Sequence, residues 1–199
     1  MTDIKVFNKW SLTEIKVDDP GLQDFITLTP RIVPKTGARY AGNRFYKSKV
    51  LIIERLINKL MVAGHKGKKH FRTSGHLTGK SNTTYKIVEE AFKIIEKTIN
   101  QNPVKIFVKA LENAAQREEI ITIEYGGARY PKAVECSPQR RVDLVLKHMT
   151  QGAYHRTVNT KKSIIQGLAD EIISAYRMSG SSNTIAKKLE VERQADSSR

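Results

Sequence analysis

The chain has 199 residues, 39% apolar and 28% charged, enough for one ordinary core with length left for extensions. Thirty-five Lys and Arg against twenty Asp and Glu give a net charge of +15, which points to nucleic acid or another anionic surface. The lone Cys136 excludes an internal disulfide framework and a Cys-rich zinc module. No apolar run approaches the roughly 18 residues of a membrane span, and Met1 to Lys5 do not read as a signal peptide, so a cytoplasmic protein without membrane contact is expected.

Residues 1–43 show no sustained period and read as an N-terminal arm. Trp10, Ile15, Val17, Leu22, Phe25 and Ile26 would pin short elements of it to the body, while Pro20, Pro30, Pro34 and Gly37 prevent anything longer. Asn43 or Ser48 then caps an expected helix through about Val62, with Val50, Ile53, Ile57 and Leu60 on its buried stripe and basic residues on its outer side. Residues 64–83, with four glycines, read as a loop.

Thr83 or Thr84 opens a second helix, striped by Tyr85, Val88, Phe92, Ile95 and Ile99. Asn102 and Pro103 start a third, as N-cap and first helical residue. The period then drops to two at Ile121, Ile123 and Tyr125, and Gly126-Gly127 supplies a tight turn, so a hairpin is expected over about 119–136. A lone two-stranded ribbon must lean on helices or a ligand. Ser137-Pro138 restarts helix, and residues 151–159 read as a loop. Thr160 caps a long helix ending near Gly180. Residues 181–199 read as a short terminal helix, over 183–193, and a frayed tail.

The positive charge lies in two blocks. Residues 31–72 hold twelve bases and one acid, Glu54; residues 120–162 hold eight bases and three acids; residues 86–119 balance at six each. Like charges repel and destabilise a compact state, so such blocks imply a polyanion. The near-neutral 86–119 region reads as scaffold between two poles on one face, the second running from the 126–132 hairpin tip to Lys162.

Gly79-Lys80-Ser81 lacks the glycine that a phosphate-binding loop needs five residues earlier, where Ser74 stands, and no strand precedes it. His65, His70 and His76 lack the paired spacing of a zinc site. No carboxylate dyad or nucleophile–base pair stands out, so no catalysis, cofactor or metal is expected. Competing readings are a duplex-DNA architectural protein and a basic RNA-modifying enzyme.

Arg44 to Val50, Ile57 to Met61 with Gly64 and Lys68-Lys69, Asn102-Pro103, Ala110 to Asn113, Gly126 to Tyr130, and Arg140-Arg141 stand in an order and spacing that resemble the small-subunit ribosomal protein S-seven family, called S-five in eukaryotes. The likeness runs from about Asn43 to Arg177. The N-terminal arm and the interrupted Gly64-His-Lys-Gly67-Lys-Lys69 look like the archaeal and eukaryotic branch. The resemblance implies a mainly α fold, a bundle of about six helices over 44–180 with a protruding two-stranded β-hairpin. It implies a ribosomal-RNA-binding protein of translation that nucleates the head of the small subunit near the decoding centre. Its hairpin would lie near exit-site tRNA and messenger, with proteins S-nine and S-eleven as neighbours. Candidate RNA contacts are Arg31, Lys35, Arg39, Arg44, Lys47, Lys49, Lys66, Lys68, Lys69, His70 and Arg72 in the first block. In the second they are Arg129, Tyr130, Lys132, Arg140, Arg141, His155, Arg156, Lys161 and Lys162.

Overall fold

The structure, a computed structural model, describes residues 4–62, 64–66, 71–72 and 75–199, with backbone alone at 65, 66, 71 and 72. Among them are six α-helices and two antiparallel ribbons. The helices are α1 (Ile52–Leu60), α2 (Ser81–Ile99), α3 (Pro103–Ala114), α4 (Pro138–Thr157), α5 (Ile164–Tyr176) and α6 (Asn183–Asp196). The short ribbon pairs β1 (His65–Lys66) with β2 (Phe71–Arg72), and the long one pairs β3 (Glu118–Tyr125) with β4 (Ala128–Glu135). The expected helical bundle with a hairpin is therefore the observed fold. No helix among the described residues is long and apolar enough to cross a membrane.

Helix α5 packs against α2, α3, α4 and α6, and α1 lies across α2 and α4. The period read from the sequence accounts for the buried faces: Val88, Phe92 and Ile95 of α2, Val104, Phe107, Val108 and Leu111 of α3, Val142, Val145, Leu146 and Met149 of α4. The N-terminal segment enters the same core through Val6, Phe7, Trp10, Leu12, Ile15, Leu22 and Ile26. Edge-to-face and tilted rings run from Phe7 through Trp10 and Phe92 to Phe107, with centroids 5.8–5.9 Å apart at each step.

Helix boundaries moved where tertiary contacts overrode local signals. Helix α1 begins at Ile52, not Asn43 or Ser48, because Leu51 bridges Thr27 and the Ile52 N–H donates to the Thr27 carbonyl at 3.1 Å. Residues 46–49 make only a 3-10 turn before it. Thr84 lies inside α2, its hydroxyl donating to the Lys80 and Ser81 carbonyls, so the helix opens at Ser81. The 64–83 segment, read as loop, contains the β1–β2 ribbon. Asn102 does cap α3, accepting from the Val104 N–H at 3.0 Å.

The expected loop at 151–159 is the last part of α4. Gly152 in this helix allows a close approach. A Cβ on it would lie 2.7 Å from Glu171 Cδ and 2.9 Å from Asn183 Cβ. Ser163, not Thr160, caps α5, and α5 ends at Tyr176. Thr160 instead donates to the Arg156 carbonyl at the end of α4. Helix α6 continues into the expected frayed tail, to Asp196: Ala195 is fully buried, and beyond the helix Arg199 donates to both Glu118 oxygens at 2.7 and 2.8 Å.

Two expected outcomes follow from α4. An exposed helical Gly→Ala change gains up to about 1 kcal/mol, but Gly152→Ala should lose about 1–3 kcal/mol by overpacking. Gly42→Ala, facing open space, should stay within about 0.5 kcal/mol; urea unfolding distinguishes them. Burial, with the charges of Lys147 and Lys187, lowers His148 from 6.5 to about 4, against Gln151 and Glu190. The folded state then binds fewer protons than the unfolded chain between those values, so stability falls as pH drops from 6.5 towards 4. His148→Gln should flatten that part of the pH–stability curve.

Candidate nucleic-acid interface

Residues 31–50 wrap against α1, an apolar helix that also buries two charges. Glu54 Oε1 accepts from the Thr36 N–H at 2.8 Å and the Thr36 hydroxyl at 2.6 Å. Asn58 Nδ2 donates to the Tyr40 hydroxyl at 3.4 Å. So held, the segment forms a cleft of about 600 Å³ walled by Arg31, Lys35, Arg39 and Lys49 with Tyr40 and Tyr46. Four of the expected RNA-contacting bases thus converge on one recess. None of the four forms an ion pair with another described residue. Lys49 Nζ lies 5.0 Å from the Tyr46 ring centroid, and the Arg44 guanidinium 5.4 Å from that of Phe45.

The first block continues onto α4. Lys47 pairs with Asp143, and Arg55 Nη2 donates to the other Asp143 oxygen at 3.0 Å. Arg55 also donates to the Phe25 carbonyl at 3.0 Å. Burial lowers the Lys59 ammonium from its ordinary value; Asp143 opposes this, and Lys147, Lys47 and Arg55 add to it. Lys47 and Arg55 thus share one carboxylate, and Lys59 lies within its field. Arg140, Asp143 and Lys147 are spaced i, i+3, i+7, one face of α4. This basic band reaches from the cleft to the root of the long hairpin. Lys59 and Lys147 belong to it and were not among the expected contacts; the spacing from Arg140 was the available signal for Lys147.

The hairpin turns on Gly126 (φ 57°) and Gly127 (φ 82°), the two positive values a two-residue primed turn requires. Its register places Ile121 opposite Lys132 and Ile123 opposite Tyr130, so these share a face with Tyr125. Tyr125 is 82% exposed and Tyr130 58%. Arg129 lies on the other face, opposite Glu124 and 3.4 Å from its carboxylate. Tyr125 was not among the expected contacts, although period two already put it beside Tyr130.

Several of the expected contacts have partners within the fold. Arg141 is buried, donating to Asp19 at 2.9 Å and the Gln116 carbonyl at 3.0 Å. Arg140 holds Glu119 through Nε at 2.6 Å and Nη2 at 2.7 Å. Half-buried Arg156 donates to Glu171 at 2.9 Å and the Ser181 carbonyl at 2.8 Å. Glu171 itself is fully buried and also accepts from Ser182 and Thr184. Lys162 pairs with Asp170 at 2.8 Å, Lys161 is exposed, and the His155 ring lies beside Tyr154.

Sixteen residues of α4 separate Arg140 from Arg156, about 24 Å at 1.5 Å per residue. The second block is therefore two patches, and only the hairpin end adjoins the first block. Helix α4, not the 86–119 region, links them. Lys66 and Arg72 lie on β1 and β2, while Lys68, Lys69 and His70 lie outside the described residues. Among the described residues, no cluster of three or more His, Cys, Asp or Glu is arranged to hold a metal.

The family described as ribosomal protein S7p/S5e matches residues 23–199. The small ribosomal subunit protein uS7 of Nanoarchaeum equitans is 55% identical over 196 residues, covering 98% of this chain and 99% of the relative. That of Archaeoglobus fulgidus is 44% identical over 197 residues, covering 99% of this chain and 96% of the relative. With the match over most of its length, and with relatives of this identity, the chain belongs to the S7p/S5e family of ribosomal proteins, which is not a family of enzymes.

Proposed function

We propose that this chain is a structural constituent of the small ribosomal subunit in the cytoplasm. It binds ribosomal RNA as a primary binder and nucleates assembly of the head. The observation that carries this reading is the cleft of Arg31, Lys35, Arg39 and Lys49 continued by the Lys47–Lys59–Lys147 band. These cations exceed the carboxylates in reach, and an RNA backbone supplies the missing charge. Both relatives are named small-subunit proteins. In this reading Arg44, Lys132, Lys161 and the 66–72 bases add phosphate contacts, and the exposed Tyr125–Tyr130 face lies near exit-site tRNA and messenger. Proteins S-nine and S-eleven are its neighbours.

In a footprint, the chain should protect one multi-helix junction of small-subunit ribosomal RNA, and duplex DNA should compete poorly. Equal competition by DNA would favour an architectural DNA-binding role instead. Lys35→Ala with Arg39→Ala should weaken binding and flatten the log–log salt slope by about 1.4–1.8, at about 0.7–0.9 per phosphate contact. Arg141→Ala should behave oppositely, leaving that slope unchanged and costing about 1–3 kcal/mol of stability by removing the donor to Asp19 and the Gln116 carbonyl.

A further inference from the structure

We infer that the cleft between the 31–40 segment and the 46–49 turn holds one unpaired nucleotide of the bound RNA, its base against Tyr46 and its 5′ and 3′ flanking phosphates among Arg31, Lys35 and Arg39. The inference rests on the RNA-binding function proposed above and specifies what this part of the surface reads.

Shape is the first reason. A cleft of about 600 Å³ falls within the roughly 300–1,000 Å³ of sites that enclose a small molecule. A phosphate on the outside of a helix needs only a convex or flat basic surface. The lining is the second reason. Lysine and arginine alone would neutralise a backbone, but two tyrosines stand among them. In a duplex the base faces are stacked on each other and out of reach; only an unpaired base offers its face to an aromatic ring. Tyr46 remains 47% exposed while the Lys49 ammonium rests 5.0 Å from its ring centroid.

Preorganisation is the third reason. The walls are held by the protein's own bonds, Thr36 to Glu54 and Asn58 to Tyr40. The recess exists before any partner arrives, so little ordering cost remains when a nucleotide enters.

The test uses the full chain and small-subunit ribosomal RNA. Ultraviolet crosslinking of the wild-type complex should join Tyr40 or Tyr46 to a nucleotide whose Watson–Crick edge reacts with chemical probes in the free RNA. Tyr46→Ala should weaken binding about tenfold at an unchanged salt slope, and Tyr46→Phe, which keeps the ring, should stay within about twofold of wild type. A crosslink to a paired nucleotide would overturn the inference, as would wild-type affinity in Tyr46→Ala or a loss of affinity matched by a loss of slope. The crosslink does not depend on how the variants fold. Wild-type chain that fails to bind the RNA at all would instead remove the RNA-binding reading itself.

Discussion

Two charges buried on one apolar helix tie the basic segment to the bundle. Glu54 is 2% exposed and Arg55 7%, side by side on α1 among Ile52, Ile53, Leu56 and Ile57. Burying a charge is costly unless it is paired and hydrogen-bonded. Each therefore fixes the groups that bond to it, although Glu54 Oε2 meets no hydrogen-bond partner among the described residues. Glu54, the sole acid of the first block, takes the Thr36 N–H and hydroxyl and so shapes the cleft. Arg55 takes Asp143 and the Phe25 carbonyl, joining the N-terminal segment to α4. One helix thus sets both where the positive surface begins and what it is continuous with.

That arrangement explains how the chain tolerates its charge. Twelve bases within residues 31–72 would oppose compaction if they crowded the core. They are instead distributed by counter-charge. Asp143 receives Lys47 and Arg55, while Arg31, Lys35, Arg39 and Lys49, without carboxylate partners among the described residues, line the cleft with their side chains exposed. The second block is divided on the same principle. Arg141 and Arg156 are drawn inward by Asp19 and Glu171, and Arg129 and Lys132 remain on the exposed ribbon. Net charge per segment does not distinguish these fates; the position of the nearest carboxylate in the bundle does.

Legibility in the sequence followed the range of the chemistry. Asn102-Pro103 and Gly126-Gly127 act through their own backbone, so their roles as cap and turn could be read directly. The apolar stripes were legible because a helix imposes its period locally. Residues 151–159 were read as a loop because the purpose of Gly152 is the approach of Glu171 and Asn183, invisible in neighbouring residues. Arg141 was read as a phosphate contact because Asp19, its partner, is 122 positions away. Of the cleft, the bases were evident as types. Their convergence was not, since it depends on Glu54 reaching Thr36 eighteen residues upstream.

The long hairpin extends the same logic to direction. A two-stranded ribbon is marginal alone, and no third strand joins this one among the described residues. Its order is built at the root. Arg140 grips Glu119 twice, Arg199 grips Glu118 twice, Glu192 accepts from the Arg117 N–H, and Arg141 holds the Gln116 carbonyl. Helix α6 lies along the ribbon near this end. Beyond the root, both edges are open, and Pro131 within β4 removes one donor that another strand might capture. Several bases that composition assigns to a partner therefore aim the ribbon, leaving Ile121, Ile123, Tyr125 and Tyr130 exposed at its far end. Rigid placement of an apolar, aromatic tip explains why the root absorbs so much charge: without those bonds the tip would have no fixed position to present.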